Sequence, residues 1–569
     1  MNLFLDIETN TTHDHIWMCV TYDEMNGTIC HTTPTTLIPL FAKADTLIAH
    51  NLIGFDLPVL QKCWEMKTSG KTLRDTLIMS RLSNPSIDGG HSLDAWSKRL
   101  GGKKKSDYQR LYWRGLGVRM FDRKSNDHWN TPNIPLMTAY CKRDVSLLVT
   151  LFNHLNNELK DWGESVELEH EVAQIVKEQE DWGFRFDVQK AQALLATLTG
   201  EVADIESQLQ IAFPPEISER ISEKTGKRLA DKVTVFNPGS RQQIAERLMA
   251  LGWKPEKKTE KGAVVVDETS LASVDLPEAK LIARYLLLQK RVSQINSWFS
   301  ELKEDGRIHG RVITNGAVTG RMTHHSPNMA QVPNAGSPFG KECRECWTVN
   351  DGNVLVGADA SGLELRMLAH YMRDEKYAKA IIEGSSKDGT DIHTTNQRAA
   401  GLQTRDQAKT FIYAFLYGAG PAKIGSIVGG DAATGKKLID RFLRGTPALA
   451  VLRTKVAKFA EKGYLPALDG RKLWVRSEHA ALNTLLQGAG AIVMKKALTI
   501  LHKKLKYAKI DARFCANVHD EWQLEVPRHL GKAAGMLAVE SIEEAGRYFN
   551  MRCPLTGEYN VGNNWKETH

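Results

Sequence analysis

Two acids lie two residues apart in an apolar run at the start of the chain, Asp6 and Glu8 in "NLFLDIET". In a strand, residues i and i+2 point to the same face. Two like charges held side by side there are unfavourable unless a cation lies between them. A divalent metal is the usual remedy, and Mg²⁺ favours a few carboxylates together with water and phosphate oxygens. Further along, "AHNLIGFDLPVL" carries Asp56, and "YCKRDVSLL" places Tyr140 and Asp144 four apart, on one face of a helix. Near the other end, "VGADASGLELRMLAH" has an apolar strand, Val354 to Val356, that ends at Asp359. "CANVHDEWQLEV" has two strand-like halves meeting at His519-Asp520-Glu521, as in a hairpin. An acid at the end of a buried strand and another at a hairpin turn can converge on a metal pair. Phosphoryl transfer needs little beyond this: metals to neutralise charge, an in-line nucleophile, and cations for the departing phosphate.

The cations are supplied by "TRDQAKTFIYAFLYGAG", where Arg405, Lys409, Tyr413 and Tyr417 recur at every fourth position. At about 100° per residue a four-residue step drifts only about 40°, so the four form one slowly turning stripe on a half-buried helix. Thr404 and Gln407 read as a capping box that starts this helix, and Gly418 lets it stop. Cations near a helix N-terminus, where the dipole also favours anions, suit a phosphate ligand.

The elements that must hold these residues follow a simple order. Over the first 150 or so residues, strand-like runs ("NLFLDIET", "DTLIAHN") alternate with helical patterns such as "HSLDAWSKRLGG". From about 165 to 300 the pattern is long-helical, interrupted by a charged loop from Ser218 to Lys232. "FNPGSRQQIAERLMALGW" reads as a turn and a helix, with Ser240 as N-cap and Gln243 at N3. From about 350 onward strands and helices alternate again. The lysine runs "GGKKKSD" and "KPEKKTEKG" read as solvated loops, and no repeat or low-complexity tract is present.

Composition sets outer bounds. The 569 residues, 42% of them hydrophobic, suffice for about three or four domains with real cores. A net charge of +8 is compatible with a polyanionic partner without requiring one. Of the eight cysteines only Cys343 and Cys346 have a CxxC spacing, with no second pair to complete a zinc site, so all eight read as reduced thiols. "MNLFLDIETN" lacks the basic region of a signal peptide, and no apolar run approaches the length that spans a bilayer, so a cytoplasmic protein with no membrane partner is expected.

Four acids and a phenol in this order resemble the proofreading 3′→5′ exonucleases that carry a tyrosine in their last motif. The resemblance implies that Asp6, Glu8, Asp56 and Asp144 hold two metal ions and that Tyr140 orients the attacking water. "DASGLELR", "RDQAKTFIYAFLYG" and "VHDE" in turn resemble the two palm motifs and the fingers-helix motif of family A DNA polymerases, the class of bacterial DNA polymerase I. Starting directly at the exonuclease, without a 5′-nuclease domain, is similar to the replicative polymerases of short-tailed phages. The implied fold is an α/β and α+β multidomain chain. A ribonuclease H-like exonuclease domain (1–160) precedes a right-hand polymerase domain (161–569), with thumb about 165–310, palm about 311–385 and 465–569, and fingers about 386–464.

By position the resemblance also assigns roles. Asp359, Asp520 and the carbonyl of Ala360 hold two Mg²⁺ ions, with Glu521 beside them. Arg405, Lys409 and His393 meet the triphosphate of a dNTP. Tyr413 lies by the incoming base and sugar, and Tyr417 by the templating position. Glu364 closes the space under the sugar and so excludes a ribonucleotide. Arg321, Asn483, Gln487 and His519 contact the minor groove of the primer-template, where correct pairs offer acceptors at similar places whatever the sequence. Replisome helicase or primase are expected partners of a monomer in the host cytoplasm. The stretch from Phe213 to Val235 is too short for the large thumb insertion by which some phage relatives recruit a processivity protein, so no such factor is expected. A single-subunit RNA polymerase would have no use for Glu364 or the exonuclease set, and a non-catalytic scaffold no reason to keep either charge cluster.

Overall fold

In the computed structural model "NLFLDIET" forms the strand Asn2–Thr9, the centre of a five-stranded sheet ordered Gly27–His31, Ile16–Asp23, Asn2–Thr9, Thr46–Ala49, Thr72–Asp75. The first three strands run antiparallel and the last two join in parallel. The structure describes all residues except 102–107, 119–123, 222–223, 225, 256–257 and 260, so the lysine run of "GGKKKSD" and part of "KPEKKTEKG" lie outside the described residues. One sheet face packs Leu3, Leu5 and Ile7 against Leu37, Leu52 and Leu60. The other packs Phe4, Met18 and Val20 against Met137, Leu148 and Phe152, which lie on the long helix Ile134–Leu159. Apolar residues on both faces are what burial between two helical layers demands.

A second sheet, ordered Arg513–Val518, Glu521–Pro527, Asn353–Ala360, Gly557–Gly562, carries the other acids. The strand around Val354–Val356 is longer than its apolar centre, running to Ala360. The halves of "CANVHDEWQLEV" pair as an antiparallel hairpin turning at His519-Asp520. The helix Ala481–Tyr507 is long and apolar enough to cross a membrane, and 83% of that stretch is buried inside the fold, which makes it a core helix.

Contacts divide the chain into two compact units. The first comprises 1–182, 311–325 and 356–561, and the second 183–310, 326–355 and 562–569. Within the first, Glu169 of the helix Ser165–Trp182 accepts from Lys495 Nζ at 2.6 Å and from Arg471 Nη1 at 2.5 Å. Arg471 also bonds Asp469. All four side chains are buried, with two charges of each sign, and removing one partner from such a set costs about 3–5 kcal/mol because an uncompensated charge remains. The cluster fixes the helix Ala481–Tyr507 against the helix Ser165–Trp182 and the turn after Leu465.

Within the second unit the helices Val188–Ala212 and Pro277–Glu301 pack along each other, with Arg284 bonded to Glu201 at 2.7 Å. Phe184, Phe186, Trp298, Trp347 and Trp565 form its aromatic core. The segment read from sequence as a charged loop, Ser218 to Lys232, is instead a two-stranded hairpin, Glu216–Ile221 with Arg228–Thr234. Nearly every residue of it is exposed, so backbone pairing rather than burial defines it.

Candidate active sites

At the N-terminal site Asp6 and Glu8 leave the central strand on one face, as their spacing requires. The helix Ile134–Leu159 lies across that face and brings Tyr140, Cys141 and Asp144 to them. Cys141 Sγ is 3.4 Å from Asp6 Oδ2, and ligand atoms of Asp6, Glu8 and Cys141 all lie within 4.8 Å of one another. Burial, then the charges of Asp144, Glu8 and Asp6, push the Tyr140 hydroxyl far above its ordinary range, so it stays a neutral donor. Asp56 closes a single π-helical turn, Leu52–Asp56, that follows the strand Thr46–Ala49. Such turns recur at functional sites because they re-aim one side chain. The Asp56 carboxylate accepts from the Ile7 amide, midway between the two strand acids. It is 2% exposed, and its Oδ1 has no hydrogen-bond partner. Burial and the neighbouring Asp6 and Asp75 raise its pKa well above the carboxylate range. The four acids and Tyr140 are thus brought together, and a buried unsatisfied oxygen among acids fits a cation centre.

The second site lies where the strand Asn353–Ala360 meets the hairpin turn. The Ala360 N–H donates to the Asp520 carbonyl at 3.2 Å, setting the strand end that carries Asp359 against the turn that carries Asp520. His519 holds a left-handed backbone, φ 58°, of the kind that persists where surrounding structure enforces it. Burial raises the Asp520 carboxyl pKa; Glu364 pushes it the same way, while Arg321 and His519 pull against them. Burial, then Arg321, lowers that of His519, so its ring is biased towards neutral. Glu521 is buried and takes a hydrogen bond from Gln523 at 2.6 Å.

Glu364, in the first turn of the helix Leu363–Met372, accepts from the Tyr417 hydroxyl at 2.6 Å and pairs with Arg321 at 3.3 Å. The helix Arg405–Leu416 starts at the capping box of Thr404 and Gln407, and Tyr417 is its C-cap, followed by Gly418 at φ 76°. Its buried face is Ala408, Phe411, Ile412, Phe415 and Leu416. The stripe is accessible: Arg405 and Tyr413 are half-buried, Lys409 is exposed, and Tyr417 is 49% exposed. Its cations therefore need no protein partner for solvation, and an approaching anion can reach them. Burial followed by the charges of Glu364 and Asp520 raises the Tyr413 phenol, so this helix lies within reach of both carboxylates. His393 lies 6.3 Å from the Tyr413 ring, and after burial the nearby Arg405 contributes most to lowering its pKa.

Asn483 and Gln487 lie one turn apart, half-buried, on the helix Ala481–Tyr507. That helix packs against the helix of Glu364, where a Cβ on Gly490 would come within 3.2 Å of Leu363. Cys343 and Cys346 are buried free thiols in the second unit, and burial pushes both up to about 12.

Three residues belong to these sites without having been singled out in the sequence. Asp75, 1% exposed, accepts from the amides of Asn51, Ile53 and Leu77 and so shapes the turn that delivers Asp56. Asp391 caps the helix Ile392–Ala400 and takes Arg405 Nε at 3.1 Å, aiming that guanidinium. Cys141 is the third. For Asp75 and Asp391 the available signal was an aspartate at a helix N-cap.

A family model of DNA polymerase family A matches residues 210–567, and one described as 3′-5′ exonuclease matches residues 15–160. The latter begins beyond Asp6 and Glu8, which their spacing in the sequence and the geometry above add to the site. The chain is 34% identical to the DNA-directed DNA polymerase of Enterobacteria phage T3, over 93% of each chain. It is likewise 34% identical to that of Escherichia phage T7, again over 93% of each. The fold is similar to the POL domain of Pol1 from M. smegmatis, solved in complex with DNA primer-template and dNTP. The TM-score is 0.79 at 19% identity, covering 100% of this chain and 96% of that one. The chain belongs to DNA polymerase family A and is a DNA-directed DNA polymerase with a 3′-5′ exonuclease domain.

Proposed function

We propose that this polymerase replicates DNA by adding dNTPs to a primer 3′ end and proofreads with its exonuclease, using two Mg²⁺ ions in each site. Polymerases and exonucleases of these families are metal-dependent in general. The ion identity and the count of two belong to the proposal. The observation that supports it is the approach of the helix Arg405–Leu416 to the acids: Tyr413 feels the charges of both Glu364 and Asp520, and Tyr417 is bonded to Glu364.

Asp359, Asp520 and the Ala360 carbonyl would hold the polymerase ions, and Asp6, Glu8, Asp56 and Asp144 those of the exonuclease. When bound, such ions neutralise phosphate charge and activate the attacking oxygen. The chain's own residues do the rest. Arg405, aimed by Asp391, grips the triphosphate with Lys409 and His393. Tyr413 packs beside the base and sugar, and Glu364, held by Arg321 and Tyr417, walls off a 2′-hydroxyl. Arg321, Asn483, Gln487 and His519 read the minor groove. In the exonuclease the Tyr140 hydroxyl, kept protonated by burial and the charges of Asp144, Glu8 and Asp6, orients the attacking water. The helices Val188–Ala212 and Pro277–Glu301 form the thumb within the map drawn from sequence, and Glu521 stands beside the metals rather than on them. The enzyme acts as a monomer in the host cytoplasm beside a replisome helicase or primase, with no processivity factor on a thumb insertion.

The test is a primed template with Mg²⁺ and dNTPs, rNTPs or no nucleotide. Extension only with dNTPs, and 3′ shortening with no nucleotide, is the predicted result. Extension with rNTPs as efficient as with dNTPs would sink the reading of Glu364.

A further inference from the structure

The exonuclease centre contains one atom that its acids do not account for. Cys141 is fully buried on the helix Ile134–Leu159, three residues before Asp144, so it shares that residue's face. Its Sγ lies 3.4 Å from Asp6 Oδ2 and 3.5 Å from the Asp6 carbonyl. Together with Glu8 this makes a set of one sulfur and two carboxylates whose ligand atoms fall within 4.8 Å of one another, a span that one cation can bridge. A second observation points to a cation here independently of the thiol. Asp56 is 2% exposed, lies against the Ile7 amide between Asp6 and Glu8, and leaves its Oδ1 without a hydrogen-bond partner.

Ligand softness then discriminates among ions. Mg²⁺ takes hard oxygens and gains little from a thiol, whereas Zn²⁺, Cd²⁺ and Co²⁺ bind thiolate sulfur strongly. The polymerase site offers the carboxylates of Asp359 and Asp520 and the Ala360 carbonyl, all oxygens. We propose that Cys141 is a ligand of the exonuclease centre for thiophilic divalent cations, so that Zn²⁺, Cd²⁺ or Co²⁺ binds this site through sulfur, whereas Asp359, Asp520 and the Ala360 carbonyl would offer them oxygen. The inference rests on the reading of Asp6, Glu8, Asp56 and Asp144 as a metal centre. On binding, the Cys141 S–H proton leaves to solvent, a metal–sulfur bond forms, and a water leaves the ion, with no change of oxidation state. The exonuclease would thereby respond to thiophilic ions at levels that leave extension untouched.

The experiment titrates the full-length protein with Co²⁺ alone and follows the sulfur-to-cobalt charge-transfer absorption. The wild type is expected to show a band saturating at one equivalent. Cys141→Ser is expected to lose the band and to bind Cd²⁺ more weakly by calorimetry, by at least the roughly 10- to 100-fold that losing a partner behind a ligand already costs. Asp6→Asn should weaken the band as well. Primer extension by both variants checks that they fold, since neither residue serves the polymerase site. No band in the wild type, or an undiminished band in Cys141→Ser, overturns the proposal, the latter assigning the sulfur to another of the eight cysteines. If the wild type shortens 3′ ends with Mg²⁺ yet gives no band, the ligand role fails and the metal-centre reading stands. If it neither shortens ends nor binds any ion, both fail.

Discussion

Single residues carry the proposal that one helix measures a nucleotide. Arg405 and Lys409 stand in the N-terminal half of the helix Arg405–Leu416 and Tyr413 and Tyr417 toward its end, on an accessible face, which under the proposed function lets phosphate meet one end while Glu364 and Asp520 lie by the other. Under the proposed function Tyr413 would also set a selectivity, since a tyrosine here resembles family members that accept chain terminators lacking a 3′-hydroxyl. Tyr413→Phe is predicted to raise discrimination against dideoxynucleotides about tenfold or more, that is by about 1.4 kcal/mol or more in the difference of transition-state binding. Competitive incorporation of ddNTP against dNTP measures it, and equal ratios for both forms would refute it. The carboxylates were legible from sequence because their types are costly to bury and their spacings are those of strand and helix faces. Cys141 was not, because its relation to Asp6 spans 135 residues and a lone thiol carries no local pattern.

At the scale of elements, local rules placed the strands and helices that hold the chemistry. The strand Asn2–Thr9, the capping box at Thr404, the N-cap at Ser240 and the hairpin at His519-Asp520 all stand where propensity and pattern put them. The hairpin of Glu216–Ile221 and Arg228–Thr234 escaped, since interleaved charges leave no buried face to read and only cross-strand pairing defines it. It is short, and Ile217, Ile221, Leu229 and Val233 on it are exposed. It offers far less than an inserted domain, so the lone enzyme is predicted to have low-to-moderate processivity. Primer extension with a trap that captures released enzyme should give short runs; thousands of nucleotides per binding event would show that the thumb needs no helper.

At the scale of the molecule, the first unit is sensitive to acid through its buried imidazoles. His170 accepts from the Asp75 amide through Nε2 while its Nδ1 faces the Val166 carbonyl, and His370 Nδ1 accepts from the Arg552 amide, so both must be neutral in the fold. Burial brings the pKa values of His170, His324 and His370 down to about 4 from 6.5. Each takes up its proton more readily when unfolded, so stability rises with pH between about 4 and 6.5 and is lost as pH falls through that window. The contribution is up to about 3 kcal/mol per histidine at 1.36 kcal/mol per unit. The thermal midpoint should fall steadily from pH 7 to 4.5, and His170→Gln should flatten the fall; a midpoint independent of pH over that range would contradict the assignment. The division into two units was not legible, because the chain crosses between them near residues 182, 310, 325, 355 and 561 and no local signal marks such crossings.

The central claim is that one chain carries two separate phosphoryl-transfer sites, one around Asp520 and one around Asp6. Primer extension and 3′ shortening, measured side by side on one labelled primed template, test it in Asp520→Ala, Lys409→Ala and Asp6→Ala. The predicted result is loss of extension with shortening retained in the first two variants, and loss of shortening with extension retained in the third. Loss of both activities in any one of these folded variants would contradict it.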